Sequence, residues 1–242
     1  MLGLIWNCMY WSVQFHFSKS SDEQYQVFEA WVRGIQKIVL KHTVFISHGK
    51  SIKLNQKSSV LLIANHQSWL DILVLYAYCG APLVFVMKQS LRRIPFLGRV
   101  FEKIKFPLID RNAKHAKSWK DPILAFLEDP LVKPLVIFPE GTRYHQKKAA
   151  RSRYNKLLNP HVDGLFLVRD AYEQILDVTI CYPKQCEPSM INLFLGRMDK
   201  IVIQVEDQTA LLKSPDRRSD VYRSLKQIWE KKSQWIEETS MS

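Results

Sequence analysis

Val60-Leu61-Leu62-Ile63-Ala64-Asn65-His66-Gln67-Ser68-Trp69-Leu70-Asp71 is an apolar run that turns polar at its end. Consecutive apolar residues without alternation describe a strand covered on both faces, as in a parallel sheet flanked by helices. A second stretch, Val136-Ile137-Phe138-Pro139-Glu140-Gly141-Thr142-Arg143, repeats the pattern. Between and beyond them, continuous apolar runs predict strands at Val44–Ser47, Leu83–Met87, Phe106–Ile109, Leu135–Phe138, Val178–Cys181 and Ile201–Val205, with Val60–Ala64 among them. Helical patterns fall at Trp69–Tyr78, Leu97–Lys103, Ala113–Glu128, Gly164–Gln174 and about Ser219–Ile236. Alternating strands and helices predict an α/β fold with a mixed, mostly parallel sheet.

The N-terminal 42 residues read differently. Ser21 with Gln24 forms a capping-box pattern for a helix running to about His42, with Val27, Trp31, Ile35 and Ile38 on one face. Ahead of it, Met1–Phe17 is rich in aromatic and aliphatic residues and has no Lys or Arg, so it lacks the positive start of a secretory signal. It is short of the ~20 apolar residues that span a bilayer, and Asn7, Ser12, Gln14 and His16 interrupt it. An interfacial helix fits this composition; a helix of a soluble core is the alternative. Residues 1–42 are therefore set apart as an N-terminal helical membrane-associating segment, and 43–242 as the main domain.

The 242-residue chain carries a net charge of +12, which favours polyanionic partners: nucleic acid, anionic lipid or phosphate-rich cofactors. No zinc-finger spacing, RNP motif or clear helix-turn-helix is present, so nucleic acid is not the expected partner. Cys8, Cys79, Cys181 and Cys186 show no metal-binding spacing, and reduced thiols in a cytosolic compartment are expected.

A strand end feeding a helix start is where α/β proteins place reactive groups. His66 falls on such a turn, and Asp71, five residues on, is within reach of the ring if a helix begins near Ser68. A carboxylate on one ring nitrogen fixes the tautomer and leaves the other basic. With no Gly-x-Ser-x-Gly elbow, His66 reads as a general base acting directly on a substrate hydroxyl. The bland alternative is a capped helix beside an ordinary histidine. In the second stretch Gly141 permits close backbone approach, Arg143 presents a planar fork suited to phosphate, and Glu140 can hold a hydroxyl or orient Arg143. An exposed Glu–Arg pair after a strand is the alternative there. Phe106-Pro107-Leu108-Ile109-Asp110-Arg111 is a third turn, and Arg111 is either a second cation for a phosphate or part of a surface ion pair.

Together these blocks resemble the glycerolipid acyltransferase family, which includes 1-acylglycerol-3-phosphate acyltransferase. Asn65, His66, Ser68 and Asp71 match its first motif; Phe138–Arg143 matches its Phe-Pro-Glu-Gly-Thr-Arg motif without change; the Asp110-Arg111 turn lies between them, as the family's second block does. The resemblance implies a mixed sheet flanked by helices, an acyl-binding tunnel, and membrane docking through an N-terminal helical segment. It also implies catalysis by His66 and Asp71, and substrate binding by Glu140, Gly141, Thr142 and Arg143, with Arg111. The co-substrate would be acyl-CoA or acyl carrier protein, the acceptor lysophosphatidate or a related lysophospholipid, and no metal or other cofactor would be needed. The fourth block departs from the usual Val-Pro pattern with Asp177-Val178-Thr179-Ile180-Cys181-Tyr182-Pro183, which looks like a bacterial-type subgroup distinct from the main lysophosphatidate enzymes.

Lys147, Lys148, Arg151, Arg153 and Lys156, with Tyr144 and Tyr154, follow the second motif and are candidates for contacting coenzyme A phosphates, acyl carrier protein or anionic lipid. A solvated charged loop is the alternative. The expected location is the cytoplasmic face of an anionic membrane. A hydrolase or transacylase using the same His–Asp pair remains open at this point.

Overall fold

The computed structural model describes residues 2–41, 43–55, 57–94, 97–110, 117–128, 134–182 and 188–241. Among them, strands β1 (Val44–Gly49), β2 (Val60–Ala64), β3 (Val84–Phe85), β6 (Leu135–Ile137), β7 (Gln174–Cys181) and β8 (Lys200–Asp207) build one sheet in the order β1-β8-β7-β2-β6-β3. Only the β7–β8 pairing is antiparallel, so the sheet is mixed and mostly parallel, as expected. A small parallel pair, β4 (Met87–Lys88) and β5 (Leu108–Ile109), lies apart from it. Every residue of β2 is buried, which is what its unbroken apolar run requires of a central strand.

Because β2, β6 and β7 run parallel, their C-terminal ends share one edge. Ile63 lies beside Ile137 on one side and Asp177 on the other, so the turns leaving all three strands converge. Helices α3 (Leu70–Cys79), α4 (Leu97–Lys103), α5 (Lys117–Leu127), α6 (Gln146–Ala149), α7 (Asp163–Val168), α8 (Met190–Phe194), α9 (Thr209–Lys213) and α10 (Arg218–Met241) complete the domain behind two N-terminal helices, α1 (Leu2–Phe17) and α2 (Ser21–Leu40).

Several expectations shift. The capping box of α2 is Ser20 with Glu23, one residue before the predicted pair, because both registers satisfy the same spacing. Its buried stripe is Phe28, Trp31, Val32, Ile35 and Val39, which keeps Trp31 and Ile35 of the expected face and leaves Val27 and Ile38 half-buried. The helix expected over 164–174 stops at Val168; a 3-10 turn follows, and β7 begins at Gln174, where Ile175 onward is sealed between β2 and β8. The run at 83–87 splits between two sheets, β3 and β4. Residues 113–116 of the predicted fifth helix, and Arg111, lie outside the described residues.

The division at residue 42 is not a division of the core. Phe28 of α2 packs edge-on against Tyr76 of α3 and against Phe106, all in one cluster with Phe15 of α1. Asn7, which breaks the apolar run of α1, donates to Trp31 O at 3.2 Å and lies against Gly34, where a Cβ would come within 2.1 Å of its Oδ1. Lys103 Nζ donates to the Phe15, His16 and Ser18 carbonyls, supplying partners and a positive charge at the C-terminus of α1. The opposite side of α1 is bare: Trp6, Met9, Tyr10, Val13 and Phe17, at helical spacing, are exposed. No helix among the described residues is long and apolar enough to cross a membrane.

Candidate active site

His66 sits on the turn leaving β2, and its ring is fixed from several directions. Nδ1 lies 2.8 Å from Asp71 Oδ2, and the ring stacks on Phe138 at 4.1 Å between centroids. Asp71 is fully buried. Its Oδ2 also accepts the Gln67 and Ser68 backbone N–H groups at 2.8 and 2.9 Å, and Oδ1 accepts the Tyr182 hydroxyl at 2.5 Å. The carboxylate, on the first turn of α3, thus serves the N–H groups of the turn that precedes the helix and the imidazole together. Because a carboxylate only accepts, Nδ1 is the protonated nitrogen of the neutral ring and Nε2 is the basic one. Burial, and then the adjacent Asp71 charge, push the Tyr182 phenol well above its ordinary range, so it remains a donor.

The backbone of the same turn is held just as closely. Asn65 spans to β7, donating to Ile180 O at 2.9 Å and accepting from Ile180 N at 2.8 Å. Ser68 Oγ donates to Pro188 O at 2.7 Å. His66 N donates to Glu140 Oε1 at 2.8 Å, and His66 O accepts from Tyr144 N at 2.7 Å. The other Glu140 oxygen accepts Leu158 N at 2.8 Å. Burial raises the Glu140 carboxyl to about 7 against the lowering effect of these N–H groups and of Lys232.

Glu140 therefore ties three turns together and is not paired with Arg143, the arrangement weighed from sequence. Gly141, at φ +66°, closes the Phe138–Gly141 turn with a 2.9 Å hydrogen bond and directs the chain past His66. Gly141, Thr142 and Arg143 line a cleft of about 670 Å³ with His66, and Arg143 is exposed there with no hydrogen-bond or ion-pair partner among the described residues. Lys88 and Lys148 border the same cleft. An apolar annex of about 200 Å³, walled by Ile109, Trp119, Ile123 and Leu165, adjoins it through Val86, Phe138, Gly141 and His161.

Residues 45–183 match the family described as Acyltransferase. The chain belongs to that family. Among curated relatives, the probable 1-acyl-sn-glycerol-3-phosphate acyltransferase 5 of Arabidopsis thaliana is 25% identical over 205 residues, covering 76% of this chain and 54% of its own length. The 1-acyl-sn-glycerol-3-phosphate acyltransferase of Helicobacter pylori is 39% identical over 88 residues, 34% of this chain and 35% of its own. Lysocardiolipin acyltransferase 1 of Mus musculus is 25% identical over 199 residues, 72% and 52% respectively. The chain thus spans about half the length of these relatives, or less. The crystal structure of the 1-acyl-sn-glycerophosphate acyltransferase PlsC from Thermotoga maritima shares the fold with a TM-score of 0.60 at 15% identity, over 98% of this chain and 95% of that one.

Of the residues singled out by the family motifs, His66, Asp71, Glu140, Gly141, Thr142 and Arg143 meet at one end of the sheet. Sequence reasoning missed Tyr182, which lies in the very block that departs from the family pattern. Nothing local in the sequence marks Tyr182 as a partner of Asp71, 111 positions away.

Proposed function

We propose that this chain is an O-acyltransferase that moves a fatty acyl group from acyl-CoA or acyl carrier protein to the free hydroxyl of lysophosphatidate or a related lysophospholipid. The observation that carries this reading is the His66–Asp71 pair, its second imidazole nitrogen left for chemistry, beside a cleft bordered by Arg143, Lys88 and Lys148. Family membership and the names of the relatives support the same reaction class.

In the proposed step, His66 Nε2 takes the acceptor hydroxyl proton as that oxygen attacks the thioester carbonyl. The new C–O bond forms and, on collapse, the C–S bond breaks; the imidazolium returns the proton to the departing thiolate. Asp71 stabilises the transient imidazolium, with its remaining acceptor positions already occupied. Arg143 binds the acceptor phosphate with a two-pronged contact that an ammonium cannot copy. The apolar annex supports placement of an acyl chain, since such a wall favours methylenes by about 0.8 kcal/mol per buried CH₂.

The exposed face of α1 supports docking to an anionic membrane surface. Trp6, Tyr10 and Phe17 suit the head-group region, and the net positive charge adds long-range attraction.

The deciding experiment offers a panel of lysophospholipid acceptors with acyl-CoA and, separately, acyl carrier protein, and follows products by mass spectrometry. Diacyl product dependent on His66 is expected. Free fatty acid as the main product regardless of acceptor would replace transfer with hydrolysis.

A further inference from the structure

The short helix α8 is locked at both ends. At its start Ser189 Oγ accepts Asn192 N at 3.2 Å, and at its end Gly196, at φ +68°, turns the chain so that Arg197 N reaches Asn192 O at 2.9 Å. Leu193 is fully buried, whereas Ile191 and Leu195, four residues apart on one face, are 67% and 60% exposed. A single exposed apolar residue is ordinary, but more adjoin this pair. Thr43 Oγ1 donates to Met198 O at 2.6 Å and Val44 N to Asp199 O at 2.7 Å. These bonds bring the end of α2 and the start of β1, with Leu40 and Val44 exposed, beside the chain that leaves α8.

The other end of α8 reaches the His66 turn. Pro188, two residues ahead of the helix, accepts Ser68 Oγ at 2.7 Å, and the next residue, Trp69, is exposed and lines the cleft with His66. The charge around the bare face is one-sided. Segments 37–48 and 188–200 carry Lys37, Lys41, Arg197 and Lys200 against the single carboxylate of Asp199, and all five are exposed. Apolar side chains framed by cations suit the boundary between head groups and acyl chains of an anionic bilayer. A second copy of the chain suits it less, because a two-fold contact would set these cations against their own counterparts.

We propose that α8 is a second membrane-contact site: Ile191 and Leu195 enter the acyl boundary of an anionic bilayer, and Arg197 and Lys200 meet its head groups. The proposal adds to docking through α1 and rests on the lipid acceptor of the proposed function. Because Ser68 ties the segment before α8 to the His66 turn, insertion here brings the Trp69 side of the cleft to the lipid surface. A lysolipid then reaches the cleft without crossing open water.

The test compares the full chain with Ile191→Ser/Leu195→Ser, the conservative Ile191→Leu/Leu195→Ile, and Arg197→Gln/Lys200→Gln. Sedimentation is measured with vesicles of phosphatidylcholine alone and of phosphatidylcholine mixed with phosphatidylglycerol. Mass by light scattering and acyl transfer to detergent-dispersed lysophosphatidate are measured alongside. The serine pair should weaken binding to both kinds of vesicle by roughly tenfold and leave turnover in detergent unchanged. The conservative pair should bind as wild type does. The glutamine pair should lose roughly fivefold per charge, on the phosphatidylglycerol vesicles only. Wild-type sedimentation of the serine pair overturns the proposal. So does a fall in its mass from dimer to monomer, which would give the face to a second copy. If the serine pair does not fold, the glutamine pair decides, and its unchanged binding to anionic vesicles overturns the proposal. If wild type binds vesicles but transfers no acyl group, the reaction assignment fails, while sedimentation still decides the role of α8.

Discussion

The two sides of the cleft are built on opposite principles. At the His66 turn every polar group of Asp71 and Glu140 is engaged, and the ring is clamped by Asp71 and Phe138. At the Arg143 rim the cationic head groups are exposed to solvent. A proton-transferring group works best when prepositioned, since reorganisation at the moment of reaction adds to the barrier. A residue that captures a charged head group gains from being solvated and reachable. On the proposed function the difference separates chemistry from recognition along one wall of one cleft, and each half predicts its own kind of damage.

The largest effect is expected at the rigid half. His66→Ala should lower kcat by roughly 10²–10⁴ with little effect on thermal stability or acceptor KM. A variant with near-wild-type turnover would falsify the assignment of His66 as the base. Tyr182→Phe probes the clamp behind the ring. Removing one donor to a buried carboxylate should cost about tenfold in kcat and also lower Tm, because Asp71 Oδ1 is left unsatisfied. If only Tm moved, Tyr182 would belong to the core and not to the clamp.

The soft half should fail in KM. Arg143→Ala is expected to raise acceptor KM by roughly tenfold while leaving donor KM nearly alone, and Arg143→Lys should recover part of the loss. Equal changes for both substrates would erase the contrast between the two sides.

A fourth expectation concerns pH. Because burial raises Glu140 to about 7 from an ordinary 4.5, the folded chain binds more protons than the unfolded one between those values. The contribution of Glu140 to folding stability is therefore full below pH 4.5 and is lost as pH rises through about 7. Glu140→Gln should flatten that stability slope in denaturant titrations across pH. The smallest effect belongs to the helix farthest from chemistry: Trp6→Ala with Phe17→Ala should weaken sedimentation with anionic vesicles and leave turnover on detergent-dispersed lipid almost unchanged. Unchanged sedimentation would move the docking face elsewhere.

Much of this was legible in the chain because it is local. The strand ends at Ala64 and Ile137 announce themselves by a switch from apolar to polar residues, and His66 and Asp71 are five positions apart on one turn. What sequence did not yield is what joins distant segments. Tyr182 reaches Asp71 across 111 positions and Trp229 reaches Leu158 across 71, and a single sequence carries no sign of either pairing. Ser20 and Ser21 illustrate a second limit: two neighbouring serines, each followed three residues later by Glu or Gln, satisfy the capping pattern equally, and the structure uses Ser20 with Glu23. Gln174 shows a third, since the residues before it carry a helical pattern that pairing with β2 overrides.

The double duty of Asp71 ties folding to function in time. Its carboxylate, carried on the first turn of α3, is both the partner of the Gln67 and Ser68 N–H groups on the preceding turn and the partner of the imidazole, so the His66–Asp71 pair does not exist in a chain whose α3 has frayed at its start. During refolding, recovery of activity cannot run ahead of the capture of that helix end. The moment at which α3 locks onto its turn is the moment at which the His66–Asp71 pair is assembled.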